Sequence, residues 1–263
     1  MANSNETSEV RDIEAILASL RQRVMVIVFI IDVSGSMKGV RIEAVNYAIR
    51  GVLPHIVRKE RENVTETRLA VMEFSGAAQW RTLTPEPASS FRYEITDTGG
   101  GANYSKAFKA LNEKLSWGEF LSASDEVYAP VILMLTDGKP SDPALYKEEL
   151  VSLSTNPWFV SASKVGIAIA EGAESPECQQ ALTEFTGSGS MVFMVRDVQT
   201  LGRYIRGAVI AGIDASLKRG VLMNERRHRE TTRPVLPFYA SPVEAAGGEI
   251  PGLEEIDWER EFL

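Results

Sequence analysis

Three oxygen-bearing side chains, Asp32, Ser34 and Ser36, stand at every second position of the stretch Asp32-Val-Ser-Gly-Ser36-Met37. In a loop, that spacing lets short side chains converge on one point. A further acid, Asp137, directly follows a second apolar run in Leu135-Thr-Asp-Gly138. Carboxylate and hydroxyl oxygens are hard ligands that suit Mg²⁺, Mn²⁺ or Ca²⁺. The expected chemistry is therefore binding of a divalent cation, Mg²⁺ first among them. Softer metals lack ligands: Cys178 is the single cysteine, and His55 and His228 are the two histidines. A thiolate zinc site and an intrachain disulfide are both excluded.

Each candidate ligand sits where a strand must deliver it. Val24 to Ile31 is eight apolar residues without interruption, six of them Val or Ile. Such a run favours a strand, and its continuity predicts cover on both faces, as in a parallel sheet. Val131–Leu135 is a second run of this kind. Open α/β sheets bind ligands beyond the carboxyl ends of their strands, which is where Asp32 and Asp137 fall. Between them, Thr98-Gly-Gly-Gly-Ala-Asn103 reads as a flexible loop that opens a helix carrying Tyr104, Ala107, Phe108, Leu111 and Leu115.

The remaining periodicities complete an alternation. Val40 to Arg58 has helical spacing, with Pro54 predicting a kink or an end near Leu53, followed by a charged connection to Glu66. Leu69–Phe74 reads as a strand, Ala77–Leu83 as a returning edge strand, and Thr84–Pro87 as a break. Ala144–Leu153 reads as a helix, Lys164–Ile169 as a strand, Pro176–Phe185 as a helix, Ser190–Val195 as a strand, and Val198–Ile213 as a closing helix. Strand–helix alternation implies an α/β domain with a mainly parallel sheet and right-handed crossovers. It is placed at 24–213, after an N-terminal extension (1–23) whose residues 9–22 have helical spacing. Residues 214–263 form a charged, proline-containing arm. Its first part, 216–235, has six cations against two acids, and its second, 236–263, seven acids against one arginine. The arm reads as a solvated tail or as a docking segment.

Composition narrows the function. The chain of 263 residues is 44% apolar and 24% charged, with a net charge of −8, which argues against a general nucleic-acid binder. No apolar run reaches the roughly 18 residues of a membrane span, and Met1–Glu9 is polar and acidic, unlike a secretory leader. A cytoplasmic protein with no membrane or nucleic-acid partner is expected. No GxxxxGK[ST] phosphate loop occurs. A Ser/His/Asp hydrolase would need a histidine, and His55 falls on the first crossover helix while His228 falls in the basic tail. Cys178 reads as structural.

Asp32-Val-Ser-Gly-Ser36-Met, a Gly-Gly loop, and Leu135-Thr-Asp-Gly together resemble the von Willebrand factor A (VWA) domain with its metal-ion-dependent adhesion site. The resemblance covers residues 24–213 and implies a Rossmann-like three-layer α/β/α fold, mainly parallel, with one antiparallel edge strand. It implies that Ser34 and Ser36 ligate the metal directly, with Asp32 completing the first motif and Asp137 binding directly or through water. The family usually reads Gly-Gly-Thr in its second loop, whereas this chain has Gly100, Gly101 and Ala102. Asn103, Ser105 and Thr98 are the candidate substitutes for the missing threonine, and the spacing favours none of them. Otherwise water replaces the lost ligand and the ion binds more weakly, or the loop survives only as structure, with Asp32 and the serines capping turns.

The phrase Thr136-Asp-Gly-Lys-Pro-Ser-Asp142 most resembles the bacterial TerY type, associated with tellurite resistance and stress operons. That likeness implies a non-enzymatic adaptor whose bound cation bridges to a partner's Asp or Glu carboxylate, the partner being a Ser/Thr kinase or PP2C-type phosphatase. One alternative is an accessory subunit of an AAA+, MoxR-type or chelatase-type ATPase. Another, from the enzyme class, is a metal-dependent phosphohydrolase. The related haloacid-dehalogenase pattern needs an acid where Ser34 stands.

Overall fold

The computed structural model describes residues 23–95, 97–116, 119–120, 126–169 and 175–222. The helix expected at 9–22, most of the connector at 117–126 and the arm beyond 222 lie outside them.

The apolar run after Arg23 forms β1 (Arg23–Asp32), paired in parallel with β2 (Glu66–Phe74) on one side and β6 (Val131–Thr136) on the other. None of its residues from Val24 to Ile31 is more than 2% exposed, so both faces are covered, as the unbroken run requires. Alternation divides them. Val24, Val26, Val28 and Ile30 pack beneath α2 (Tyr104–Lys114), α3 (Leu145–Leu153), α4 (Pro157–Ser161) and α5 (Pro176–Thr186). Met25, Ile27, Phe29 and Ile31 pack beneath α1 (Val40–Asn63) and α6 (Leu201–Arg219). Helices therefore cover the sheet on both faces, in three layers.

The main path of the sheet runs β3-β2-β1-β6-β7-β8, with β3 (Ala78–Trp80), β7 (Ser163–Ile169) and β8 (Val192–Val195) completing it. Its pairings are parallel except β2–β3 at the edge. Two short antiparallel ladders lie off this path. β4 (Glu86–Pro87) pairs with β2, and β5 (Glu126–Tyr128), itself parallel to β1, pairs with β9 (Val221–Leu222). Thr84–Pro87 is thus not wholly a break, since a proline is tolerated on an edge strand.

Several element boundaries differ from those the sequence suggests: β2 begins at Glu66 rather than Leu69, β3 covers only Ala78–Trp80, and three others differ for a local reason. Pro54 does not end α1, which runs on to Asn63 and absorbs most of the charged connection. Pro54 is exposed while Val52 and Ile56 beside it are buried. The Arg50 carbonyl that loses its intrahelical partner therefore faces water. The closing helix α6 runs to Arg219 rather than Ile213 because Ala215 and Ser216 remain buried, and the Ser216 hydroxyl donates to the Ala129 carbonyl at 2.5 Å. The strand expected from Ser190 begins at Val192, after a 3₁₀ turn over Gly189–Met191.

α1 stops at Val64, whose φ of 51° lies in the left-handed region. A β-branched residue is strained there, and Val64 is 84% exposed, so its side chain gains little in return. Val64→Gly is expected to stabilise the protein by about 1 kcal/mol, read as a rise in the urea midpoint with an unchanged slope. An unchanged midpoint would show that the left-handed cap carries no strain.

Candidate functional site

The sheet order reverses between β1 and β6: the chain leaves β1 toward β2 on one side and returns to β6 on the other. The crevice beyond the carboxyl ends of these two strands is the topological switch point, the usual ligand position in open α/β sheets. Asp32 is the last residue of β1, and Asp137 directly follows β6. The segment 99–103, before α2, closes over them. Gly35 N–H donates to the Gly100 carbonyl at 3.0 Å, and Gly99 N–H donates to the Val33 carbonyl at 2.8 Å. Gly100 has φ +78° and Gly101 packs so tightly that a Cβ would lie 2.8 Å from Ser141 Oγ. Only glycines let this loop approach both neighbours.

Within that frame four side chains meet. Ser34 Oγ and Ser36 Oγ lie 3.2 Å apart, and the Ser36 hydroxyl donates to Asp137 Oδ1 at 2.8 Å. Asp32 lies beneath them, fully buried. Its Oδ1 accepts from Ser34 N–H at 2.8 Å, and its Oδ2 accepts from the Thr136 hydroxyl at 2.6 Å. Burial pushes the Asp32 carboxyl above the usual carboxylate range. The hydrogen bonds from Thr136 and Ser34 oppose that shift, while the nearby Asp137 adds to it. The site is an anion-rich crevice at which a cation would relieve charge.

Oxygens sharing an octahedral Mg²⁺ at ~2.1 Å sit about 3.0 Å apart along each edge. The separations of 3.2 Å between Ser34 and Ser36 and 2.8 Å between Ser36 and Asp137 bracket that value, so these three oxygens are spaced like two adjoining edges of such an ion's octahedron, and they make up one face of the crevice. Asp32, with both oxygens engaged, lies behind that face. Among the described residues no group of three or more His, Cys, Asp or Glu could hold a metal. An ion here would thus depend on the two hydroxyls.

A model of the von Willebrand factor type A domain matches residues 27–206. The chain belongs to this family. No curated protein sequence matches it. Among solved structures, this VWA domain is similar to the ArnB paralog VWA2 from Sulfolobus acidocaldarius, with 20% identity, TM-score 0.51, and coverage of 70% of this chain and 44% of that one. The pilus adhesin SpaC from Lactobacillus rhamnosus GG, in its open conformation, gives 11% identity, TM-score 0.57, and coverage of 75% and 31%. Proximal thread matrix protein 1 from the mussel byssus, with a zinc-occupied adhesion motif, gives 15% identity, TM-score 0.52, and coverage of 74% and 46%. At these identities the likeness shows the fold. The VWA chain spans less than half the length of each of these proteins.

The second loop carries Gly100, Gly101 and Ala102 between the two acidic loops. Ala102, buried and without a hydroxyl, gives its carbonyl to Ser141 N–H at 2.9 Å. Asn103 turns toward the β2–β3 connection, where its Nδ2 donates to the Gly76 carbonyl at 3.2 Å and its N–H to the Ser75 carbonyl at 2.9 Å. Ser105 is buried in the first turn of α2, its N–H bound by Asp142 Oδ2 at 2.9 Å. The contacts of Asn103 thus run to the β2–β3 turn and those of Ser105 to the third loop.

Four residues of the site escaped the sequence reading. Thr136 orients Asp32. The Tyr104 hydroxyl reaches the Gly138 carbonyl at 2.8 Å and Thr136 Oγ1 at 3.1 Å, and burial pushes its pKa up, so it stays a donor. Asp142 caps α2 from the third loop, and Arg41 contacts Asp137. Their partners lie 32 to 104 residues away, beyond the reach of any local spacing pattern. Away from the site, His55 is half-buried on α1, with Nε2 3.1 Å from Arg206 Nη1 rather than freely exposed. Cys178 is buried in α5, and burial pushes its thiol up to about 11. No described helix is long and apolar enough to cross a membrane.

Proposed function

We propose that this VWA domain is a non-enzymatic, cation-dependent interaction module, in which Ser34, Ser36 and Asp137, backed by Asp32, hold a divalent ion, Mg²⁺ first among candidates. The carrying observation is the hydroxyl–hydroxyl–carboxylate group, with successive oxygens 3.2 Å and 2.8 Å apart, at the sheet's switch point. Ser36 is exposed, so this face opens outward. An ion held there keeps a position for an oxygen from outside the chain, and an Asp or Glu carboxylate on a partner protein supplies the charge to match. Exposed Lys38 and Lys139 flank the two acidic loops and favour the same anionic partner. Exposed apolar side chains at the same end of the sheet, Val40 and Leu145, offer contact area around it. Ala102 in place of a hydroxyl leaves one coordination position to water, which supports a weaker site than a full set of ligands would give.

The finer placement is with the TerY type. It is supported by the likeness of the phrase Thr136-Asp-Gly-Lys-Pro-Ser-Asp142 to that type. On this reading the domain is a cytoplasmic adaptor of a stress-response system, with a Ser/Thr kinase or PP2C-type phosphatase as the partner class. Capture of such a partner on immobilised protein is expected in Mg²⁺, with loss of most of it in EDTA or with Asp32→Ala. Capture indifferent to both would overturn the bridging model.

A further inference from the structure

Arg41, in the first turn of α1, is a cation that the domain itself brings to this site. Its Nη1 lies 2.5 Å from Asp137 Oδ2 and 2.7 Å from the Ser36 carbonyl oxygen. The Asp137 side chain is 0% exposed, whereas that of Arg41 is 28% exposed. One partner is fixed and the other sits at the surface on a flexible stem. Asp137 Oδ1 meanwhile accepts a hydrogen bond from the Ser36 hydroxyl at 2.8 Å. In this arrangement the carboxylate and one hydroxyl of the ion-binding face are already engaged with each other and with the guanidinium.

The position is otherwise a poor one for an arginine. The first turn of a helix is its positive end, where a cation is disfavoured. The contacts to Asp137 and Ser36 offset that. Arg41 cannot vacate the site by losing its proton, because a guanidinium stays charged at any working pH. It can only move. A divalent ion at Asp137 would stand within a few ångströms of the guanidinium, and like charges at that range repel strongly.

We propose that Arg41 is a tethered competitor of the divalent cation, which holds Asp137 in the ion-free domain and swings outward when the ion enters. This rests on the ion-binding reading above and deepens it: the guanidinium raises the ion concentration at which the site fills. The displaced side chain then stands beside the ion on the face where a partner's carboxylate would arrive.

The test titrates Mn²⁺ into the full chain by calorimetry, with Arg41→Gln, Arg41→Lys and Asp137→Asn beside the parent. Arg41→Gln is expected to bind Mn²⁺ about tenfold more tightly than the parent. Arg41→Lys, which keeps the charge, is expected to stay within about threefold of the parent, and Asp137→Asn to lose binding. Thermal melts give a second readout. In EDTA, Arg41→Gln melts below the parent because Asp137 has lost its cation, and saturating Mn²⁺ raises its midpoint by more than it raises the parent's. If the parent binds Mn²⁺ and Arg41→Gln binds it equally or more weakly, the competitor proposal fails while the ion-binding reading stands. If neither takes up Mn²⁺, the ion-binding reading fails and the proposal with it.

Discussion

With Asp32 replaced by Asn, the ion-free protein is expected to be at least as stable as the parent, while stabilisation by Mg²⁺ disappears. Asp32 is fully buried at the end of β1, and burial is the main cause of its raised pKa. The Ser34 N–H and the Thr136 hydroxyl offset that cost in part, and the charge of Asp137 adds to it. Asn keeps the shape, accepts the Ser34 bond and removes the buried charge; its Nδ2 then donates to Thr136 Oγ1, whose own proton turns to the Gly138 carbonyl 3.3 Å away. It also removes the negative charge that backs the Ser34–Ser36–Asp137 face. Binding to the native state alone stabilises by about 2.7 kcal/mol at an ion concentration a hundredfold above Kd. For a domain of this size that is a rise of roughly 5–10 °C in Tm. Melts with and without Mg²⁺, at one pH and constant ionic strength, should show this rise in the parent and none in Asp32→Asn. An equal rise in both would remove Asp32 from the site.

The parts of the molecule legible in its sequence are those written in short-range pattern. The run from Val24 to Ile31 announces a strand buried on both faces because over these residues each face of β1 carries only apolar side chains. That Asp32, Ser34, Ser36 and Asp137 come together is legible because strand ends deliver them, and a strand end is visible locally. What was missed depends on distance along the chain or on the solvent side of an element. Pro54 reads as a kink or an end near Leu53, and only the burial of Val52 and Ile56 beside it shows that its face points to water, so that the helix runs on to Asn63. Arg41 resembled any charge on a helix, since its partner Asp137 is 96 residues away. Asn103 and Ser105 were equal candidates by spacing, and only the tertiary contacts send one to Gly76 and the other to Asp142.

Asp142→Ala tests whether the three loops act as a unit, and a loss of about 2–3 kcal/mol is expected. The N-cap of α2, Asn103, makes no side-chain bond to its own helix. That role falls to Asp142, whose two oxygens take Tyr104 N–H at 3.0 Å and Ser105 N–H at 2.9 Å from the third loop. Losing a cap costs about 1 kcal/mol, up to about 2, and losing a carboxylate from the positive end of a partly buried helix adds up to about 1 kcal/mol. Asp142→Asn keeps one acceptor and should recover part of that stability.

The effect should extend beyond stability. Asp142 anchors the start of α2, Ser141 N–H holds the Ala102 carbonyl, and the Gly100 carbonyl holds Gly35 N–H between Ser34 and Ser36. Loosening α2 loosens the two hydroxyls through this series of bonds, so Mn²⁺ affinity is expected to fall several-fold although Asp142 contributes no ligand. Ser175→Ala is the control. It removes the cap of α5, where the hydroxyl accepts Cys178 N–H at 3.0 Å, at a cost of about 1 kcal/mol, and it touches none of the three loops. If Asp142→Ala lowers stability while affinity stays at the Ser175→Ala level, Asp142 is a helix cap alone, and Ser34 and Ser36 are held by their own loop. A joint loss, with partial recovery of both in Asp142→Asn, means that the third loop sets the geometry of the first.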